Sequence, residues 1–340
     1  MGNENLQMSR SGRTDEFYTR LSTIESELRH YADHFRGKAV LCNCDDPFVS
    51  NFFYYFVSRF TALGLCSLTC TCYAAAAAPE RQLSLLEEPS AGAGERARKL
   101  VITEVPEGLL DEDLPRDTLI DRLLSCSGNT LMTLAGDGDF RSEECLAILD
   151  TADIVVTNPP FSLMKTYLPL LIERGKPFII VGNVNHITLG EIKPYILGGR
   201  CWLGYDAGHF WFRVPPHYEA KGTDYKQDET GQKWRRMGNS CWFTNIDIPK
   251  RHTPLALKER FDSAHYPHYD DVDAVECSAT RLLPDDYVGM IGVPVSYLPY
   301  HCPEQFEICD IVTPKLAGKT KYKRLLIRRC DQTKKEAPHG

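Results

Sequence analysis

Short β-branched runs alternate with amphipathic segments over residues 39–181, and this alternation limits the possible folds more than any other feature of the chain. Ala39–Cys42 reads as a strand, Phe48–Phe60 as a helix and Ser67–Tyr73 as a second strand. Thr130–Leu134 (strand), Ser142–Leu149 (helix), Asp153–Thr157 (strand), Met164–Glu173 (helix) and Pro177–Val181 (strand) continue the pattern. Strands this short and apolar are buried on both faces, and successive parallel strands need a crossover, usually helical. The chain is therefore expected to fold as an α/β protein with a doubly wound parallel sheet. A helix over Thr23–Phe35, with Ile24, Leu28, Tyr31 and Phe35 on one face, is predicted ahead of it.

The 340 residues suffice for one large domain or two ordinary ones, and 43% hydrophobic with 25% charged residues are globular values. No run of 18 apolar residues occurs, and residues 1–14 are polar without a leader-like core; they are expected to be disordered and the protein cytoplasmic. The thirteen cysteines are scattered. Cys42/Cys44 and Cys70/Cys72 have C-x-C spacing with no second pair at zinc-ribbon distance, so reduced thiols and no metal are expected. The net charge is −7, unevenly spread. Glu80–Arg122 holds 11 acidic and 6 basic residues, whereas Lys315–Lys335 holds 9 basic residues against Asp331 alone. A basic stretch beside an acidic body is compatible with phosphate contacts. Lys321, Lys323 and Arg324 lie in its interleaved apolar and basic part.

Asn158-Pro159-Pro160-Phe161 follows the strand Asp153–Thr157 directly, at the strand end where open α/β sheets bind ligands. The Asn158 side-chain oxygen can accept a hydrogen bond from an exocyclic amine, and a carbonyl of the Pro159-Pro160 turn can accept a second. The prolines hold that turn rigid before a substrate arrives. Phe161 offers a face for a base flipped out of a duplex. Such a loop resembles the catalytic loop of amino methyltransferases that use S-adenosylmethionine. Two segments compete as its cofactor loop. Asn43-Cys44-Asp45-Asp46-Pro47 stands between a strand and a helix, while the glycine-rich Glu88–Gly94 lacks a preceding strand; context favours the first. Asp137, Asp139 and Phe140, in Gly136–Phe140, follow another strand end and suit an adenine ring.

From about residue 200 the texture changes to short β-like runs holding all four tryptophans, Trp202, Trp211, Trp234 and Trp242. The expected organisation is a disordered 1–14, a catalytic domain over 15–199 interrupted by an insertion at 74–98, and a mostly β and loop target-recognition region over 200–340. Arg213, Lys221, Lys226, Arg235, Arg236 and Asn239 are its candidate DNA contacts.

Taken together, Asp15–Thr19, Cys42–Pro47 with Val49–Phe53, Gly136–Arg141, Asp153–Phe161 and Pro303–Ile308 resemble the EcoRI-type adenine-specific DNA methyltransferases. The resemblance runs from about Thr14 to Arg328 and implies a Rossmann-like methyltransferase fold. It implies a monomer that carries a methyl group from S-adenosylmethionine to N6 of a flipped-out adenine in double-stranded DNA, at a short sequence such as GAATTC. A restriction endonuclease acting on the same site would be its companion, and the source a bacterium, archaeon or phage. By analogy Phe17, Tyr18 and Thr19 line the methionine end of the cofactor. Asn43, Asp45 and Asp46 contact its amino-acid or ribose portion, with Cys44 and Pro47 in the same loop, and Asp139 and Phe140 hold the adenine. Two departures stand out. Cys72-Tyr73 occupies the place of the acidic ribose ligand common in the wider class, and Ala74–Gly94 is particular to this chain. Methylation of RNA or of protein glutamine, or a catalytically dead DNA-binding relative, remain open alternatives at this point.

Overall fold

The computed structural model describes residues 18–73, 97–109, 114–208, 210–214 and 224–330. Phe17, Lys221, the 1–14 segment and residues 74–96 of the expected insertion, including the glycine-rich segment, lie outside the described residues. The chain forms two compact units, one of Met1–Asn183 with Asp206–Thr244 and one of Val184–Tyr205 with Asn245–Gly340.

The first unit opens with β1 (Tyr18–Thr19) and the sheet strands β2 (Ala39–Cys42), β3 (Ser67–Cys72), β4 (Arg98–Ile102), β5 (Thr130–Thr133), β6 (Ile154–Thr157) and β7 (Phe178–Asn183). Beyond β8 (Trp202–Ala207), along which the chain re-enters this unit, come β9 (Phe210–Arg213), β10 (Tyr225–Gln227), β11 (Lys233–Met237) and β12 (Ser240–Thr244). The large sheet runs β5-β4-β3-β2-β6-β7-β12-β8. Its centre is parallel: β3, β2, β6 and β7 pair in one direction. Strands β4 and β12 run antiparallel to β3 and β7. After β2 the chain winds outward to one side through β3, β4 and β5, then crosses to the other side at β6. The order thus reverses between β2 and β6, which makes their carboxyl ends the switch point of the sheet.

Local chemistry sets the helix ends. Ser50 caps the helix Asn51–Ser58 by accepting from the Phe52 N–H at 3.0 Å, and Ser142 caps Glu143–Thr151 by accepting from Cys145 N–H at 3.2 Å. The helix predicted over Thr23–Phe35 is broken into Leu21–Leu28, a 3₁₀ turn Arg29–Tyr31 and Ala32–Phe35. At the break the buried Tyr31 hydroxyl donates to Glu27 at 2.8 Å, and Glu27 also accepts from the distant Asp206 N–H at 2.7 Å. Arg98, placed in the insertion by the sequence, opens β4 instead, because Leu100 and Ile102 bury between neighbouring strands.

The expected boundary near residue 200 does not coincide with the crossings of the chain. Strand β12 is buried throughout and pairs with β7, since an apolar Ser-Cys-Trp-Phe-Thr run needs a sheet covered on both faces. The tryptophans are divided accordingly. Trp242 is fully buried in the first unit, with its ring 5.9 Å from Phe52 and 6.0 Å from Phe210. Trp211 and Trp234 are half-buried in a small antiparallel sheet, β1-β9-β11-β10, where Lys226 lies 4.4 Å from the Trp211 ring and Arg20 lies 4.4 Å from that of Trp234. Trp202, in the second unit, donates to the Ile246 carbonyl at 3.1 Å. None of the thirteen cysteines forms a disulfide.

The second unit is built on β13 (Val275–Glu276), β14 (Ile291–Pro294), β15 (Phe306–Val312), the hairpin β16 (Lys315–Leu316) and β17 (Lys319–Thr320), and β18 (Arg324–Arg329). Its sheet order is β13-β14-β18-β15, so the basic C-terminal segment supplies an interior strand. Arg324, expected to contact DNA, is instead buried at 8% exposure and bonded through both its Nε and a terminal nitrogen to Glu276, at 3.1 and 2.8 Å. Strand β18 is covered on both faces over Arg324–Ile327, and a buried guanidinium requires such a partner. Lys321 reaches within 3.8 Å of the same carboxylate, while Lys323 is exposed.

Candidate active site

The loops that leave β2 and β6 meet in one cavity of about 340 Å³ at the switch point of the first unit. From β2 come Asn43, Cys44, Asp45 and Asp46; from β6 come Asn158, Pro160 and Leu163. Tyr73 follows β3, Asp139 and Phe140 follow β5, and Thr19 comes from β1. The structure therefore gathers most of the predicted site residues around one space. Pro47, Asp137, Pro159 and Phe161 stand in the same loops but outside the lining, and Tyr18 precedes Thr19 in β1.

The β2 loop is held from below. The buried Asp45 carboxylate accepts from Ser50 at 2.7 Å and from Thr157 at 2.5 Å, and the Asn158 backbone N–H bonds it as well. The Thr157 hydroxyl also accepts from the Cys44 N–H at 3.2 Å. Tyr167, on the helix Met164–Glu173, donates to the Asn43 side-chain oxygen. Asp46 forms the turn into the next helix by accepting from Phe48 N–H at 3.0 Å. Asp45 thus works inward as well as lining the cavity, a role that sequence reading alone did not assign.

Burial raises the Asp45 carboxyl to about 6, although its three hydrogen bonds pull it down. The folded protein holds this proton up to about pH 6 and the unfolded chain only to about 3.8, so the stabilisation is complete below pH 3.8 and is lost as pH rises through 6. In denaturant titrations, the stability of the native chain relative to Asp45→Asn should fall on the order of 3 kcal/mol between pH 4 and 7. A pH-independent difference would contradict that assignment.

The opposite wall comes from Gly136–Arg141. Ala135 and Gly136 donate to Glu144, at 2.9 and 3.1 Å to one oxygen, which fixes the loop to the next helix. Gly138 has φ +82°, and a Cβ there would stand 2.4 Å from the Cys72 carbonyl oxygen, so only glycine fits. Asp139, expected to accept from an adenine amine, is engaged by Arg141 at 2.5 and 2.9 Å, and this guanidinium holds its carboxyl below the ordinary value. A carboxylate keeps further lone pairs, so the pairing narrows its role without removing it. Phe140 is buried with its ring 5.0 Å from Tyr167, edge to face. Tyr73, where an acidic ribose ligand was absent, stands half-exposed at the rim, its phenol raised by the neighbouring Asp137 charge.

Thr19 completes the ring. It is buried, and its Oγ1 has no hydrogen-bond partner among the described residues. Asn51 donates to its carbonyl at 2.8 Å and is itself bonded by Arg116 at 3.2 Å. Register pairs Thr19 with Phe212 of β9, whose ring lies 6.5 Å from Phe161. Ser50, Asn51, Phe52, Cys72, Gly138, Arg141 and Leu163 line the cavity without having been predicted. Leu163 had no signal; Ser50, Asn51, Phe52, Cys72, Gly138 and Arg141 fall inside stretches that the sequence singles out but to which it assigns no role for them.

The model of the family described as adenine-specific methyltransferase EcoRI matches residues 5–339. The chain belongs to this family. It is 37% identical to the Type II methyltransferase M.EcoRI of Escherichia coli, over 96% of both chains. It is 30% identical to the Type II methyltransferase M.MpnI of Mycoplasma pneumoniae, over 89% of this chain and 84% of the relative. No solved structure matches it. The protein is thus an adenine-specific methyltransferase of α/β fold, and the cavity lies where such a sheet binds its ligands. Of the predicted DNA contacts, Lys226 and Asn239 are exposed, Arg235 is half-buried and Arg236 is paired with Asp224 at 2.7 Å. Strand β9 carries Arg213 in its ladder.

Proposed function

We propose that the enzyme binds S-adenosylmethionine in this cavity and methylates N6 of an adenine flipped out of a short duplex DNA sequence. The meeting of the β2 and β6 loops at the switch point carries this reading. The cavity volume, about 340 Å³, is within the range of cofactor sites. Asp46 gives it a negative charge suited to a sulfonium or an ammonium group, Asp139 being paired with Arg141, and the unsatisfied Thr19 hydroxyl offers a polar contact. Phe140 suits the adenine edge of the cofactor and Tyr73 the ribose side. Asn43 and Cys44 stand beside the amino-acid portion.

The cofactor supplies an electrophilic methyl group. Asn158 and a carbonyl of Pro159-Pro160 accept the two N–H hydrogens of the target amine, which directs its lone pair at that methyl. Full deprotonation before attack is not needed. Phe161 stacks on the extruded base. Replacing Phe161 with Ala should raise the duplex KM by about 10-fold or more, as loss of one stacking face predicts, with cofactor affinity unchanged. An unaltered KM in steady-state assays would remove Phe161 from this role.

Lys226, Arg235, Arg236, Asn239, Lys321 and Lys323 are the proposed DNA contacts, joined by Arg213 and Lys221. GAATTC is the first sequence to test, with the enzyme acting as a monomer beside an endonuclease for the same site. The reading is tested by offering labelled S-adenosylmethionine with duplex DNA, structured RNA and protein acceptors in parallel, followed by nucleoside digestion. Label in N6-methyldeoxyadenosine is the expected outcome; label in RNA or protein alone would replace the substrate assignment.

A further inference from the structure

Two side chains tie the β2 loop to the β6 loop, and neither contributes to the cavity lining. Thr157, the last residue of β6, is fully buried and its strand is fixed in register with β7. Its one hydroxyl accepts from Cys44 N–H at 3.2 Å and donates to Asp45 at 2.5 Å. The next residue is Asn158, whose backbone N–H bonds the same Asp45 carboxylate. On the far side of the Asn158–Phe161 loop, Tyr167 donates to Asn43. Residues flanking that loop on both sides therefore clasp both ends of the Asn43–Asp45 segment. An α/β scaffold does not need such a clasp, because the strands are already paired through their backbones.

We infer that Thr157 is a positioning residue, whose hydroxyl sets the distance between the cofactor loop and Asn158 through Cys44 and Asp45. The inference rests on the reading of this cavity as the cofactor site. Its chemical basis is the requirement that methyl donor and amine be aligned to within a fraction of an ångström, which two independently moving loops would not ensure. Tyr167 performs the same service at Asn43. Thr157 and Ser50 hold the Asp45 carboxylate from two sides, so loss of one donor lets the carboxylate, and the backbone of Asn158 with it, turn.

Thr157→Val keeps the branched shape and the burial but deletes the hydroxyl, and Thr157→Ser keeps the hydroxyl. In single-turnover assays Thr157→Val should lower the methyl-transfer rate by about 10²-fold, the cost typical of a displaced reacting group, while its cofactor Kd rises by less. Thr157→Ser should restore most of the rate. A role confined to folding would lower the melting temperature of Thr157→Val and leave its per-molecule rate at the native value; that result would overturn the inference. If Thr157→Val does not fold, Tyr167→Phe, which loses one oxygen from a buried ring, decides the matter: a native rate there defeats the clasp, and a reduced rate with native cofactor binding supports it. The native enzyme is assayed alongside. Failure of the native enzyme to bind cofactor or to methylate DNA defeats the underlying reading, whereas an active native enzyme with an equally active Thr157→Val defeats the clasp alone.

Discussion

Asn158→Ala should lower kcat for adenine methylation by at least about 10²-fold, the usual cost of deleting one aligned hydrogen-bonding group at a reacting centre. Its affinity for S-adenosylmethionine should stay close to that of the native enzyme. The division follows from the architecture. The side chain of Asn158 reaches the cavity from β6, whereas its backbone N–H supports Asp45, and an alanine keeps the backbone bond. Single-turnover rates and equilibrium cofactor binding on the same preparation separate the two functions. Loss of cofactor binding in Asn158→Ala would mean that the side chain belongs to the cofactor wall rather than to the amine site.

Gly138→Ala should be nearly as damaging, through shape instead of chemistry. At φ +82° an alanine costs about 1–2 kcal/mol in backbone conformation alone. Its Cβ would also stand 2.4 Å from Cys72 O and 2.9 Å from Ala97 Cβ, and a backbone carbonyl in the sheet has nowhere to move. The loop must shift, and Asp139 and Phe140 shift with it. Cofactor affinity should fall by about 10-fold or more, in keeping with loss of one well-placed contact, and the melting temperature should drop. Gly136→Ala is the control: its nearest neighbour is a Glu144 side-chain oxygen at 3.9 Å, and its effects should be small. Native affinity and melting temperature in Gly138→Ala would remove this loop from the cofactor site.

The site was legible in the sequence where motif and strand coincide. Ala39–Cys42 and Met164–Glu173 match the structure residue for residue, because a buried strand and an amphipathic helix are written in local patterns. Asn43–Asp46 and Asn158 come together around one cavity because both segments follow such strands. Contacts made across the sheet had no local signature. Thr157, Ser50 and Tyr167 lie inside the predicted strand Asp153–Thr157 and helices Phe48–Phe60 and Met164–Glu173 with no role assigned, and only the tertiary fold makes them neighbours of Asp45 and Asn43. The same reason explains Arg324. A run of lysine and arginine looks solvent-facing until an interior strand covered on both faces, and Glu276 beside it, take one member inside. Trp242 was assigned to a second module because the antiparallel return of β12 to β7 spans some sixty residues that local periodicity does not bridge.

The most direct test of the central claim is long-read, modification-sensitive sequencing of DNA from cells expressing this protein, set against cells carrying an empty vector and against cells expressing Asn158→Ala. N6-methyladenine is expected in one short sequence motif and only with the native protein. Folded native protein that leaves no adenine mark, or an equal mark from Asn158→Ala, would contradict it.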